Sequence, residues 1–101
     1  MYGRITRFDV IPGKEAELEH GYREQIKLLR GQKGFKDAIL MMDPASGNVV
    51  SLTLWETKAD MDETGKPGGF VESVLPLISP YQKTKPVFTM FQVRAQASRD
   101  T

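Results

Sequence analysis

The chain changes its hydrophobic period along its length, and each change marks a predicted element. Residues 2–11 are rich in β-forming side chains and end at Pro12-Gly13, which predicts a first strand. From there apolar residues recur at helical spacing and fall within about 80° of a helical wheel, at Leu18, Tyr22, Ile26 and Leu29. This stripe predicts a helix that runs to about Gly31, with Gly31 or Gly34 as its C-terminal cap.

The middle of the chain predicts a hairpin. Two β-rich runs, residues 35–43 and 47–55, are separated by Asp-Pro-Ala-Ser-Gly, in which Pro presets φ and Gly accepts positive φ. Thr57 and Asp60 then resemble a capping box, which predicts a short helix from Lys58 to the glycines that begin at Gly65.

A second helical piece, residues 70–75, follows, and Pro76 predicts that it ends in a tighter turn. Residues 87–94 form the last predicted strand. The order β, α, β, β, α, β predicts an α+β, ferredoxin-like βαββαβ fold with both helical regions on one face of a four-stranded antiparallel sheet. We expect one domain, residues 1–94, and a flexible C-terminal tail, residues 95–101.

The predicted strands are apolar on both faces, although a sheet with one wet face normally alternates apolar and polar residues. The last strand reads Val-Phe-Thr-Met-Phe, and residues 38–42 are apolar without a break. Two helical regions shelter only one face. We therefore predict a homodimer through the sheet face, and the alternative is a monomer whose tail or long loop covers the sheet.

Composition narrows the range of partners. Fourteen Lys and Arg against thirteen Asp and Glu give a net charge of +1, too small for a strongly basic surface that binds nucleic acid or an anionic membrane. RNA-recognition sheets also carry basic residues, and residues 47–55 contain none. No apolar run approaches the roughly 20 residues of a membrane span, and the alternating start does not resemble a signal peptide.

The chain has no cysteine, which excludes disulfides, thiolate nucleophiles and zinc–thiolate clusters and is typical of a reducing compartment. We therefore expect a cytoplasmic protein. No group of carboxylates and imidazoles has metal-ligand spacing, and Gly65, Gly68 and Gly69 do not form a phosphate-binding loop. We expect no cofactor and no metal, and we interpret these glycines as a lid over a pocket or a simple loop.

The chain resembles the antibiotic biosynthesis monooxygenase (ABM) domain over residues 2–94. The resemblance depends on the order of elements, Pro12-Gly13 before the first helix, Gly34-Phe35 at the second strand, the strand end Leu-Trp-Glu at residues 54–56, and Phe70. It implies a dimeric α+β barrel with a pocket between sheet and helices. It also implies activities such as cofactor-free oxygenation of quinols or degradation of haem.

The catalytic residues of that family are not matched. Where the haem-degrading branch has Asn, Trp and His, this chain has Thr6, Thr64 and Val74, so no haem ligand is expected. Many quinol-acting members carry a His before the second helix, where this chain reads Glu63 to Gly69 without one. His20 is the only histidine, and it lies about 160° from the centre of the apolar stripe, so we expect it to face solvent.

The candidate pocket residues therefore supply shape and polarity. We expect a mainly apolar pocket with a few converging polar groups, with Ser51 nearby, and six candidates: Trp55, Tyr22, Thr6, Thr53, Arg4 and Arg7. Trp55 is either a pocket wall or a core anchor, and an Arg binds an acidic or phenolate oxygen or forms a salt bridge. The leading hypothesis is a cofactor-independent monooxygenase acting on an aromatic, quinol-type substrate. The alternative is a non-catalytic dimeric module for small-ligand binding or oligomerisation.

Overall fold

The computed structural model describes residues 1–99, and it confirms the predicted order of elements. The strands are β1 (Tyr2–Asp9), β2 (Phe35–Met42), β3 (Asn48–Trp55) and β4 (Val87–Gln92). The α-helices are α1 (Glu15–Leu29), α2 (Lys58–Gly65) and α3 (Phe70–Val74). Two 3₁₀ turns, Leu75–Leu77 and Ser79–Tyr81, lead from α3 towards β4.

The four strands form one antiparallel sheet in the order β2-β3-β1-β4. Arg4 of β1 lies opposite Thr53 of β3 and Met90 of β4, and Thr6 lies opposite Ser51 and Phe88. Because neighbouring side chains along a strand point to opposite faces, these residues share the face that the helices cover. The register therefore determines which polar groups meet beneath the helices.

Helix α1 packs on the sheet through the side chains that its apolar spacing selects. Leu18, Tyr22 and Leu29 are buried as expected, and Gln25 is buried with them. The helix ends at Leu29, and the chain reverses at Gly34, whose φ of +81° favours glycine. The predicted glycine cap is wrong, because Arg30 occupies the C-cap position in helical conformation and Gly34 lies in the turn before β2.

The second helical region is broken in two. Thr57 caps α2, since its hydroxyl accepts a hydrogen bond from the Asp60 backbone N–H at 3.1 Å. Helix α3 is only five residues long and passes into a 3₁₀ turn that contains Pro76. The proline has no N–H and its ring blocks a continuing α-helix, so the predicted tighter turn is confirmed.

The face of the sheet away from the helices is apolar and largely uncovered, although Leu54 on it is buried and Ala95 and Gln96 border part of it. We call it the open face. It includes the side chains of Ile5, Ile39, Met41, Leu52, Leu54 and Phe91. Phe91 remains 52% exposed and Met41 50% exposed, whereas Leu18 and Val49 between helix and sheet are fully buried.

The end of the chain has little regular structure. Residues 95–99 are exposed and belong to no helix or strand, while residues 100 and 101 of the predicted tail lie outside the described residues. A domain boundary at residue 94 stays a prediction. Within residues 1–99, no helix combines the length and apolar character needed to cross a membrane.

Candidate functional site

A small cavity lies between the covered face of the sheet and the helices. We call it the inner cavity, and it encloses about 70 Å³. Its walls are mainly apolar side chains from α3, the 3₁₀ turns, β1 and β4, such as Phe8, Phe70, Val74, Ile78 and Phe88. Its polar walls come from Arg4, Thr6, Tyr22, Gln25, Ser51, Thr53 and Gln82.

Arg4 is a buried cation at one end of the inner cavity, with only 8% of its surface exposed. Its Nη2 donates to the Met61 carbonyl oxygen at 2.6 Å and to the Thr64 hydroxyl at 3.2 Å, which ties β1 to α2. Burial lowers the pKa of the guanidinium, and the charge of Asp62 opposes that shift. Both hydrogen bonds use Nη2, so Nη1 and Nε make none with residues 1–99.

A glycine makes the position of Arg4 possible. A Cβ added at Gly65 would lie 2.7 Å from Arg4 Nη2, closer than a Cβ approaches such an atom. The backbone at Gly65 therefore lies so close to the Arg4 guanidinium that a side chain there would displace the guanidinium. Gly65, which the sequence placed only in a loop or lid, supports the candidate site directly.

Tyr22 and Ser51 form the second polar group of the cavity. The Tyr22 hydroxyl lies 3.1 Å from Ser51 Oγ and donates to the Ile39 carbonyl oxygen at 3.4 Å. Burial raises the pKa of the Tyr22 phenol, and the hydrogen bond with Ser51 partly offsets the shift. The phenol therefore stays protonated near neutral pH and is not poised to act as a base.

Thr6 and Thr53 complete the predicted polar lining. Thr53 Oγ1 accepts a hydrogen bond from Trp55 Nε1 at 3.0 Å. The Thr6 side chain lies between those of Arg4 and Phe8 on the covered face of β1, and its hydroxyl makes no hydrogen bond within residues 1–99. The structure thus brings four of the six candidates, and Ser51, to one cavity.

The other two candidates lie elsewhere. Trp55 is fully buried beside Leu29 and Met61, and its ring meets the edge of Phe35 at a centroid distance of 5.7 Å. It occupies the core beyond the inner cavity, because it ends β3 and lies opposite Tyr2. Arg7 is exposed and, three residues after Arg4, points to the opposite side of β1.

Two glutamines that were not among the predicted site residues also line the inner cavity. Gln25 follows Tyr22 by three residues and precedes Leu29 by four, so its spacing placed it on the buried stripe. Its Nε2 donates to the Val74 carbonyl oxygen at 2.9 Å. Gln82 follows the second 3₁₀ turn in an irregular segment, where no periodic pattern identifies a buried side chain.

A second depression adjoins the inner cavity. We call it the outer depression; it encloses about 240 Å³ and shares Arg4, Val71 and Phe88 with the inner cavity. Lys66 and Asp62 also line it. The glycine-containing segment between α2 and α3 therefore borders the outer depression. This is the segment that the sequence predicts to be a lid or a simple loop.

Ionisable chemistry in the site is sparse. Arg4 and Tyr22 are the only titratable side chains that line the inner cavity within residues 1–99. His20 is exposed on α1, as the helical wheel predicts. No cluster of three or more His, Cys, Asp or Glu within the described part of the chain has the arrangement of a metal site.

Solved structures share this fold across nearly the whole chain. A candidate antibiotic biosynthesis monooxygenase from Bordetella bronchiseptica superposes with a TM-score of 0.79 at 19% identity, covering 93% of this chain and 97% of its own. SnoaB, a cofactor-independent oxygenase from Streptomyces nogalater, gives 0.74 at 18% identity and covers 94% of both chains. A candidate antibiotic biosynthesis monooxygenase from Caulobacter crescentus gives 0.76 at 17% identity, covering 93% of this chain and 90% of its own.

A search of curated proteins finds no significant match to the chain. The family model for antibiotic biosynthesis monooxygenase matches residues 1–65, which include β1 through α2 and hence Arg4, Thr6, Tyr22, Ser51 and Thr53. Since this match covers more than half of the sequence, the chain belongs to the antibiotic biosynthesis monooxygenase family.

Proposed function

We propose that this protein binds a small, oxygen-bearing aromatic molecule beneath its helices and oxygenates it without a cofactor. The observation that carries the proposal is Arg4, a buried cation that lines an apolar cavity and has guanidinium donors left over. A cation in apolar surroundings interacts strongly with an anion that enters beside it. A phenolate oxygen on an otherwise apolar ring suits both features.

The size of the cavity indicates how such a ligand lies. An apolar cavity of about 150 Å³ holds one benzene molecule, roughly twice the volume of the inner cavity, which is about 70 Å³. A ring therefore needs part of the outer depression as well, or a small displacement of α3. Either way the ligand lies against Arg4, because Arg4 borders both spaces.

The chemistry needs no base from the chain. Beside the Arg4 guanidinium a hydroquinone hydroxyl has a lowered pKa, since the cation favours its anion, and the proton leaves to solvent. The electron-rich anion then transfers an electron to O₂, and the two combine. A hydroquinone and O₂ give a hydroxyquinone and water, so one oxygen atom enters the ring and the other leaves in water. The cavity contributes orientation, exclusion of water and stabilisation of negative charge.

Oxygen uptake with a panel of hydroquinones tests this reaction, with protein-free oxidation subtracted. We expect one atom of ¹⁸O from ¹⁸O₂ in each product molecule. Arg4→Gln should lower kcat/KM roughly 10- to 100-fold, since it removes a charged contact, and should shift the rise in rate to higher pH. Arg7→Gln, on the same strand but the other face, is the matched control and should not change either quantity. Equal rates for the two variants would contradict the proposal.

The second candidate function is ligand binding without catalysis. It is favoured by the lack, within residues 1–99, of a carboxylate or imidazole lining the inner cavity. A thermal-shift screen with the same hydroquinones separates the two functions, since a ligand that binds the native state raises Tm. Binding without oxygen uptake supports the second function over the first.

The same proposal includes a homodimer formed through the open face in the cytoplasm. Its support is the apolar character of that face, with Ile39 at 46% and Phe91 at 52% exposure in the single chain. Monomeric proteins rarely leave contiguous apolar areas of more than a few hundred Å² in water. A second copy, presenting the same face, covers such an area symmetrically.

A further inference from the structure

One buried donor in the inner cavity has no partner. Within residues 1–99, Gln82 Nε2 is buried and makes no hydrogen bond, and no other buried side-chain nitrogen or oxygen shares that condition. Buried polar groups in native proteins are nearly always paired, and an unpaired one is costly. Gln82 lines the inner cavity but its Nε2 has almost no surface open to it, so a small rotation of the side chain is needed before a molecule in the cavity supplies the missing acceptor.

The backbone holds Gln82 firmly on both sides. The Ile11 N–H donates to the Tyr81 carbonyl oxygen at 2.9 Å, and the Lys83 N–H donates to the Asp9 carbonyl oxygen at 2.7 Å. Gln82 itself pairs with Val10 in an isolated bridge. The backbone on both sides of Gln82 is therefore fixed before any ligand arrives, which limits the positions that its side chain can take.

Gln25 provides an internal comparison. It is a glutamine on the wall of the same cavity, but its Nε2 already donates to the Val74 carbonyl oxygen. Gln25 thus serves the packing of α1 against α3, whereas the Gln82 amide N–H is not used by the fold. The two side chains differ in whether a ligand is needed to satisfy them.

Gln82 and Arg4 lie at opposite ends of the cavity. Gln82 pairs with Val10, six residues along the chain from Arg4, and Thr6 and Phe8 line the cavity between them. We propose that Gln82 Nε2 donates a hydrogen bond to a carbonyl oxygen of the ligand while Arg4 contacts an acidic hydroxyl at the other end. This inference rests on the proposed function. It narrows the ligand class to aromatic compounds that carry both groups at opposite ends.

Two phenols of nearly equal shape test the inference. In 4-hydroxyacetophenone a carbonyl group lies para to the hydroxyl, whereas in 4-ethylphenol an ethyl group takes its place. A hydrogen bond from Gln82 should make the first bind roughly 2- to 10-fold more tightly to the wild-type protein, measured by calorimetric titration. The titration is run at one pH at which both hydroxyls are protonated in solution.

Gln82→Met removes the donor with little change in side-chain length and should abolish the preference for the carbonyl compound. Its Tm without ligand should equal or exceed that of the wild type, because an unsatisfied donor has been removed. A glutamine with a purely structural role would lower Tm when replaced. Gln82→Leu, which also lacks the N–H donors, should lose the preference too. Gln92→Met, at an exposed position on β4, is the matched control and should retain it.

The outcomes separate this inference from the proposed function. If both phenols bind and the preference survives in Gln82→Met and Gln82→Leu, the proposed role of Gln82 is overturned, whereas the proposed pocket is not. If the wild-type protein binds the phenols equally, the same conclusion follows. If neither phenol binds, the proposed ligand class fails and this inference fails with it.

Discussion

At the scale of single residues, the position of the Arg4 guanidinium depends on the absence of a side chain at Gly65. Gly65→Ala places a methyl group 2.7 Å from Arg4 Nη2, so the guanidinium must shift, which weakens its hydrogen bond to the Met61 carbonyl oxygen. We expect the free energy of unfolding to fall by up to about 1.5–3 kcal/mol, the value of a hydrogen bond to a charged group. Urea unfolding measures it.

Gly31→Ala is the control for this change, since its Cβ would have an ordinary 3.6 Å contact with the Leu28 carbonyl oxygen. A second check uses Arg4→Met as the background, in which Gly65→Ala should have little further effect because the atom it displaces is gone. A full loss of stability in that background would show that Gly65 acts on something other than Arg4.

Tyr22 predicts a specific alkaline behaviour. Its phenol has a raised pKa in the folded state, so between about pH 10 and that value the unfolded chain loses a proton that the native chain keeps. Stability should therefore decline as pH rises through this interval, and Tyr22→Phe should remove that part of the decline. Absorbance at 295 nm should show a late tyrosinate step in the wild type that Tyr22→Phe lacks. An unchanged titration in the variant would contradict the burial of this phenol.

Strand alternation determines which β1 residues can reach the candidate site. It does not determine the positions of Trp55 and Gln82. Thr6 and Arg4 share a face because they are two residues apart, and the same rule separates Arg7 from them. Trp55 shares its face with Thr53 but ends the strand, so its distance from the cavity depends on tertiary packing. Gln82 lies after an irregular turn, and its burial follows from contacts distant in sequence.

At the scale of elements, the approach of α1 to the first 3₁₀ turn depends on Gly21. A Cβ at this position would overlap the Leu77 carbonyl oxygen, and backbone cannot move aside as a side-chain tip can. We expect Gly21→Ala to lower the free energy of unfolding by about 1–3 kcal/mol despite the better helix propensity of Ala. Thermal and urea unfolding measure the loss.

Leu28→Ala is the comparison on the same helix. Leu28 is 51% exposed, and surface substitutions of this kind usually change stability by less than about 0.5 kcal/mol. If Gly21→Ala proved as mild as Leu28→Ala, the close packing of helix and turn would be refuted.

The elements themselves were largely predictable, because each has a local signal. The Thr57 cap and the block at Pro76 are both found where the sequence placed them. The cap of α1 was harder to predict, since Gly31 and Gly34 both suited it and the structure has Arg30 there instead.

At the scale of the whole molecule, the open face predicts a dimer that a charge should disrupt. A standard interface buries about 800 Å² on each partner, and Phe91→Lys would place an ammonium group within it at an unpaired position. We expect sedimentation to show a dimer for the wild type and a dissociation constant at least roughly tenfold higher for Phe91→Lys. Leu28→Lys, at a similarly exposed position on α1, should remain dimeric.

The outcome that contradicts this assembly is also clear. Wild-type protein that stays monomeric and folded at micromolar concentration would leave the open face as a tolerated apolar surface. The fold followed from the order of elements, and the prediction of a dimer depends on strands that are apolar on both faces. Neither pattern predicts the volume of the inner cavity, because that volume depends on how closely α3 and the 3₁₀ turns pack on the sheet.

The two edge strands of the sheet differ in charge, and this difference affects aggregation of the newly synthesised chain. β2 carries Lys36 and Asp37, whereas β4 has no charged residue from Val87 to Gln92 and has backbone groups free along its outer side. Charged residues on an edge strand oppose pairing with strands of other molecules, and β4 has none. Chains that accumulate before they dimerise should therefore aggregate through β4. Gln92→Lys, at an exposed position on the face of that strand opposite the open face, should raise the yield of folded protein.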